Sequence, residues 1–223
     1  MTHPTKDALR DLLKQGRLEQ VAESAGRTKQ VLGTLVSLTF DPDPEIGWRA
    51  VEAMGLSAAR IAEHHPDHVR EHLRRLLWLL SEESGGVCWR SPEAMAEIIR
   101  QRPALCADYI PIVVSLILSM EPEDLDRFRA GTLWATGRLG ALAGDHVTAV
   151  LSAVTAALDD RDPQVRGMAI WALMGVGQTA PLAGRPDLLT DAGSVDLYED
   201  GMLRRTSVRR LTRRALGETP GEL

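Results

Sequence analysis

Four histidines, His64, His65, His68 and His72, form the only cluster in the chain with the spacing of a metal site. His68 and His72 lie four residues apart on one helix face, an arrangement that holds zinc when other ligands converge on it. Pro66 starts that helix, so His64 and His65 fall in the preceding turn, and no cysteine is near enough in sequence to complete the set. With Asp67 and Glu71 interleaved, the segment is expected to be a solvated helix face, and no metal is assigned. Cys88 stands between Val87 and Trp89 with Arg90 close by, and a guanidinium lowers the pKa of a neighbouring thiol. No histidine is placed to act as its base, so Cys88, like Cys106, is read as structural. Arg204, Arg205, Arg209, Arg210, Arg213 and Arg214 make a basic C-terminal segment. It suits an acidic partner, nucleic acid or phosphate, or else only complements the dipole of a terminal helix. There is no phosphate loop, dinucleotide fingerprint, nucleophile elbow or HExxH. The chain is therefore expected to be non-enzymatic, with no catalytic residue and no cofactor.

The residues suited to binding are tryptophans paired with glutamates, and they belong to a repeating pattern. Residues 44 to 55, PEIGWRAVEAMG, return as VCWRSPEAMA from Val87, as FRAGTLWA from Phe128 and as DPQVRGMAIWALMG from Asp162. The apolar residue that starts each copy is at 46, 87, 128 and 165, in steps of 41, 41 and 37. A period of this size marks an array of helix pairs, each too small to bury its own apolar face.

The surrounding elements fit that array. Apolar 3-4 spacing predicts a helix from Thr5 to Gln15, closed by Gly16, and a short second helix over 17–24. The four pairs are expected at 28–40 with 45–63, 67–82 with 90–101, 105–120 with 124–142, and 146–158 with 163–178. Asp-Pro turns start the first and last of the second helices. After Gln178 the rhythm fails, and alternation around Asp200-Gly201 signals a hairpin, followed by a helix to about Leu216. A degenerate fifth repeat is the alternative there.

Asp162-Pro163, Val165-Arg166, Ala169, Ala172-Leu173 and Gly175 resemble the second-helix signature of HEAT repeats, of the bacterial kind labelled phycobilisome-lyase-like. The resemblance implies an all-α, right-handed α-α superhelix of the armadillo-type solenoid, with about four helix pairs. Its expected organisation is a single domain: an N-terminal helical cap over 1–26, four repeats over 27–178 and an irregular C-terminal cap over 179–223. In such arrays the second helices line the concave surface, and Arg129 and Arg166 match the arginine that pairs with an acidic turn of a neighbouring repeat. Relatives so labelled also suggest, as an alternative, an accessory factor handling a bilin or haem.

Counting each starting residue as zero, positions +4, +7, +8 and +11 share the core face, and +2, +6 and +9 lie opposite. Position +2 is Trp48, Trp89, Ala130 and Gly167, and +6 is Glu52, Glu93, Trp134 and Trp171. Each repeat thus puts one indole in the same sector. One reading is a ladder of four indoles on the concave surface, acidic at its N-terminal half, with Arg49 and Arg90 flanking it. Indole faces and carboxylates suit an extended, basic protein or peptide segment. The other is that the rings fill the inside of a tightly curved array. Trp78, among Leu76, Leu77, Leu79 and Leu80, is assigned to the core.

Composition agrees with a folded globular chain, at 44% hydrophobic and 26% charged. The net charge of −5 makes a nucleic-acid partner unlike the expected one. The polar start lacks a signal peptide, and the most apolar run, 109–120, is too short to span a bilayer. A cytoplasmic location without membrane insertion is the expectation.

Overall fold

The structure, a computed structural model, describes residues 4–80, 90–121 and 126–218. The chain is an all-α array of helix pairs of the α-solenoid type, interrupted by one two-stranded hairpin. It divides into two compact units, Met1–Ala107 with Tyr198–Leu203, and Asp108–Leu197 with Arg204–Leu223.

The first unit holds α1 (Lys6–Lys14), α2 (Leu18–Arg27), α3 (Gln30–Leu38), α4 (Pro44–Ala62), α5 (Pro66–Trp78) and α6 (Ser91–Gln101). Thr5 caps α1 by accepting the Ala8 amide, and Gly16 at φ 70° turns the chain out of it. α2 packs along α4, and α4 along α6, so the even-numbered helices form one layer. The segment expected as a cap thus supplies α2 as a further member of that layer. Ala50, Ala53 and Met54, on the expected core face of α4, are fully buried. The α4–α6 approach is close: a Cβ on Gly55 would lie 2.8 Å from the Glu97 carbonyl oxygen.

The second unit holds α7 (Ile110–Ser115), α8 (Asp126–Leu139), α9 (His146–Ala156), α10 (Pro163–Gly175), α11 (Pro186–Thr190) and α12 (Val208–Ala215). The long helix expected over 105–120 is instead a short α-helix between two 3₁₀ turns. Pro111 lacks an N–H and is tolerated only in a first turn, which fixes the start of α7 there. α8, α10 and α12 pack in succession. Between α11 and α12 the chain makes a hairpin of β1 (Ser194–Glu199) and β2 (Met202–Ser207). Asp200 and Gly201, at φ 51° and 73°, give the left-handed pair that a tight hairpin turn requires. The Gln164 side chain serves β1 as a short substitute strand, donating to the Asp196 carbonyl at 2.9 Å and accepting the Asp196 amide at 2.8 Å. The hairpin and the helix expected after it are therefore present, and α12 packs on α10 and α11 as the fifth-repeat alternative would also have it.

One turn recurs in both units. Asp41 Oδ1 accepts the Asp43 amide, Asp160 Oδ1 the Asp162 amide and Asp191 Oδ1 the Gly193 amide, at 3.0, 2.8 and 2.7 Å. In each case Oδ2 takes an arginine from earlier in the chain: Arg10, Arg129 and Arg166 respectively. Arg129 also holds Asp126, and Arg166 also donates to the Asp160 and Arg161 carbonyls. The structural role expected of Arg129 and Arg166 is what they perform. Arg10 fills the same role 31 residues before Asp41, the offset that also separates Arg129 from Asp160.

Candidate binding site

Trp48 and Glu52 stand one turn apart on α4, and the side chain that meets both is Tyr198. The Tyr198 ring stacks on Trp48 with centroids 5.3 Å apart and planes within 2°. Its hydroxyl donates to Glu52 Oε2 at 2.5 Å. Burial first, and then the Glu52 carboxylate, push the Tyr198 hydroxyl far above its ordinary pKa, so it stays a donor. Arg90, just before α6, places its guanidinium 4.2 Å from the centre of the Trp48 ring and 3.5 Å from Glu93. Glu93 and Glu97 sit on α6 almost fully enclosed, and Arg100 reaches Glu97 at 3.4 Å. The result is an aromatic pair framed by three carboxylates and a guanidinium. Sequence reasoning placed Trp48, Glu52, Arg90 and Glu93 together but missed Tyr198. Strand alternation gave no signal for it, because Val195 and Leu197 take the buried phase of β1 and Tyr198 falls on the other, yet is buried.

The cation expected over an indole face is thus present, but it is the chain's own Arg90. Arg49 turns away from the cluster: it donates to the Leu13 and Lys14 carbonyls at 3.2 and 3.0 Å, closing the end of α1, and pairs with Glu45.

In the second unit, Trp134 and Trp171 are buried. Trp171 lies over Gly137, where a Cβ would meet its indole nitrogen at 2.6 Å, and Gly175 backs onto the Gly137 carbonyl. The Arg138 guanidinium lies 5.9 Å from the Trp134 ring centre. Gly167, the +2 position of that repeat, is covered by Val195 of β1. Trp48, Trp134 and Trp171 are each buried rather than open: Tyr198 and Arg90 cover Trp48, and close helix approach at Gly137 wedges Trp171. Trp89, and Cys88 with it, lies outside the described residues. Trp78, assigned to the core, is instead 58% exposed: it ends α5, beyond the last buried turn at Leu76.

The histidine segment also differs from expectation. His64 and His65 are exposed, but His72 is buried, and burial, with Arg75 and His68 adding to it, holds its pKa down at about 4. Val69, His72, Leu73 and Leu76 make the inward face of α5. Among the described residues, no three His, Cys, Asp or Glu side chains are grouped to hold a metal ion. The six C-terminal arginines are exposed, with Arg205 paired to Asp196 at 2.8 Å. No described helix is long and apolar enough to cross a membrane.

Comparison with known proteins supports the repeat reading over part of the chain. An uncharacterized protein of Archaeoglobus fulgidus is 30% identical over 89 residues, 40% of this chain and 45% of that protein. The match therefore spans under half of the relative's length. The crystal structure of an archaeal HEAT-like repeats protein from Thermococcus onnurineus NA1 aligns over 96% of this chain and 80% of that one, at 17% identity and a TM-score of 0.40. Residues 126–173, from the start of α8 into α10, match the HEAT-like repeat family.

Proposed function

We propose that the chain is a non-enzymatic scaffold that binds a polypeptide segment at the Trp48 face of α4 and α6. A HEAT-like repeat over 126–173 favours a binding role in general. The observation that carries the specific reading is Tyr198, which comes from far along the chain and lies flat on Trp48 with its hydroxyl on Glu52. That is how a groove would treat an aromatic side chain of a guest, with an indole to stack on and a carboxylate to take the hydroxyl. The hairpin tip then acts as a guest held in cis. Because Arg90 already occupies the cation seat on Trp48, the preferred guest is aromatic rather than basic.

The test uses a labelled peptide of residues 194–203 added in trans. Tyr198→Ala, checked for unchanged helicity by circular dichroism, is expected to bind it, wild type to bind it far more weakly, and Tyr198→Ala with Trp48→Ala not at all. A folded Tyr198→Ala variant that ignores the peptide would reduce the stack to packing.

A further inference from the structure

At one edge of the first unit, two helix joints lie side by side. One is the link from α2 to α3, and the other runs from the end of α4 into α5. Between them is a cleft of about 410 Å³, within the range of small-ligand sites. Its floor includes Ala25 and Ile61, both buried. Its walls carry Arg27, Lys29, Arg60, His64 and His65, and among the described residues no aspartate or glutamate lines it. In a chain of net charge −5 this is a local reversal of sign.

The cations are also not spent on the fold. Arg10, Arg49, Arg129, Arg166, Arg185 and Arg205 each hold a carboxylate. Among the described residues, no acid lies within ion-pair distance of Arg27 or Lys29, and Arg60 meets only Glu63, at 3.6 Å. The start of α3 adds to the field. Lys29 precedes it with no side-chain cap, and its first turn contains no acidic residue, so the dipole end is uncompensated. His68, which hydrogen-bonds to the Lys29 backbone, has a lowered pKa, from burial first and then from the charges of Lys29 and His65.

We propose that this cleft binds the phosphate group of a small phosphorylated ligand. Arg27, Lys29 and Arg60 supply the charge and hydrogen bonds, the α3 start supplies backbone donors, and His64 and His65 close the rim. The site is independent of the Trp48 cluster, so either assignment can fail without the other.

The test is calorimetric titration of the full chain at low salt with inorganic pyrophosphate and, separately, with O-phosphoserine. The two probes distinguish a diphosphate from a phosphate monoester as the source. Saturable one-to-one binding of at least one probe is expected. Arg27→Ala with Lys29→Ala should weaken it roughly ten-fold or more, the scale of a lost hydrogen bond to a charged group, without moving the melting curve. Arg209→Ala with Arg213→Ala should leave it unchanged. Absence of saturable binding of either probe up to about 1 mM, or equal weakening by the C-terminal pair, would overturn the assignment.

Discussion

The Trp171 indole N–H donates to the Trp134 carbonyl at 3.2 Å, so one buried tryptophan satisfies its polar atom on the backbone of another. The bond exists because α8 and α10 approach at glycines. A Cβ on Gly175 would lie 2.2 Å from the Gly137 carbonyl oxygen. Gly137→Ala and Gly175→Ala are each expected to destabilise the protein by about 1–3 kcal/mol, as overpacked core substitutions do. Gly33, exposed on α3 with nothing within 4 Å of an added Cβ, is the control. Gly33→Ala should stabilise by roughly 0.5–1 kcal/mol through helix propensity. Urea denaturation of the three variants checks both signs.

The aspartate turns yield a second expectation. Arg129 is almost fully buried between Asp160 and Asp126, so Asp160→Asn leaves an enclosed guanidinium short of charge. A loss of about 3 kcal/mol is expected. Asp187→Asn, which breaks an exposed pair with Arg185, should have little effect on the melting curve.

His72 should make stability depend on pH. Its folded pKa of about 4 lies below the ordinary 6.5, so the unfolded chain binds the proton first as pH falls. Its contribution is whole above about pH 6.5, declines between 6.5 and 4, and levels off below that. The interval corresponds to about 3 kcal/mol. Carboxylates titrate in the lower part of the same range, so the readout is the difference between wild type and His72→Leu. That difference should shift in the variant's favour as pH falls from 7 to 4.5.

The Tyr198–Glu52 bond is open to a double-mutant cycle. Tyr198→Phe and Glu52→Gln should each cost stability, with a coupling of about 1–3 kcal/mol, as for a hydrogen bond to a charged acceptor. Additive losses would mean that the hydroxyl and carboxylate do not act together.

The repeat spacing made much of this fold legible. The starting residues Ile46 and Val165 are both buried at the heads of α4 and α10, and the Asp-Pro turns cap both helices as expected. Local chemistry also revealed the hairpin, because Asp-Gly tolerates the left-handed turn. Relations between distant segments were not legible. Helical phase put Trp48 in the right sector, but only the folded chain brings Tyr198 onto it. His72 was misjudged from composition, because its neighbours Asp67 and Glu71 suggested solvent, whereas its spacing to Val69 and Leu76 puts it on the inward face. Arg10 was missed because its partner Asp41 belongs to the next repeat, and only the shared 31-residue offset links it to Arg129.

A repeat array assembles from contacts between sequence neighbours, which close short loops and form quickly. The bond from Tyr198 to Glu52 joins residues 146 apart, and its loop-closure entropy can be met only after the intervening chain has condensed. The stack on Trp48 is therefore a late event in folding, and weakening it should speed unfolding while leaving the folding rate nearly unchanged. Folding of the first unit thus closes on a clasp that its own helices cannot supply.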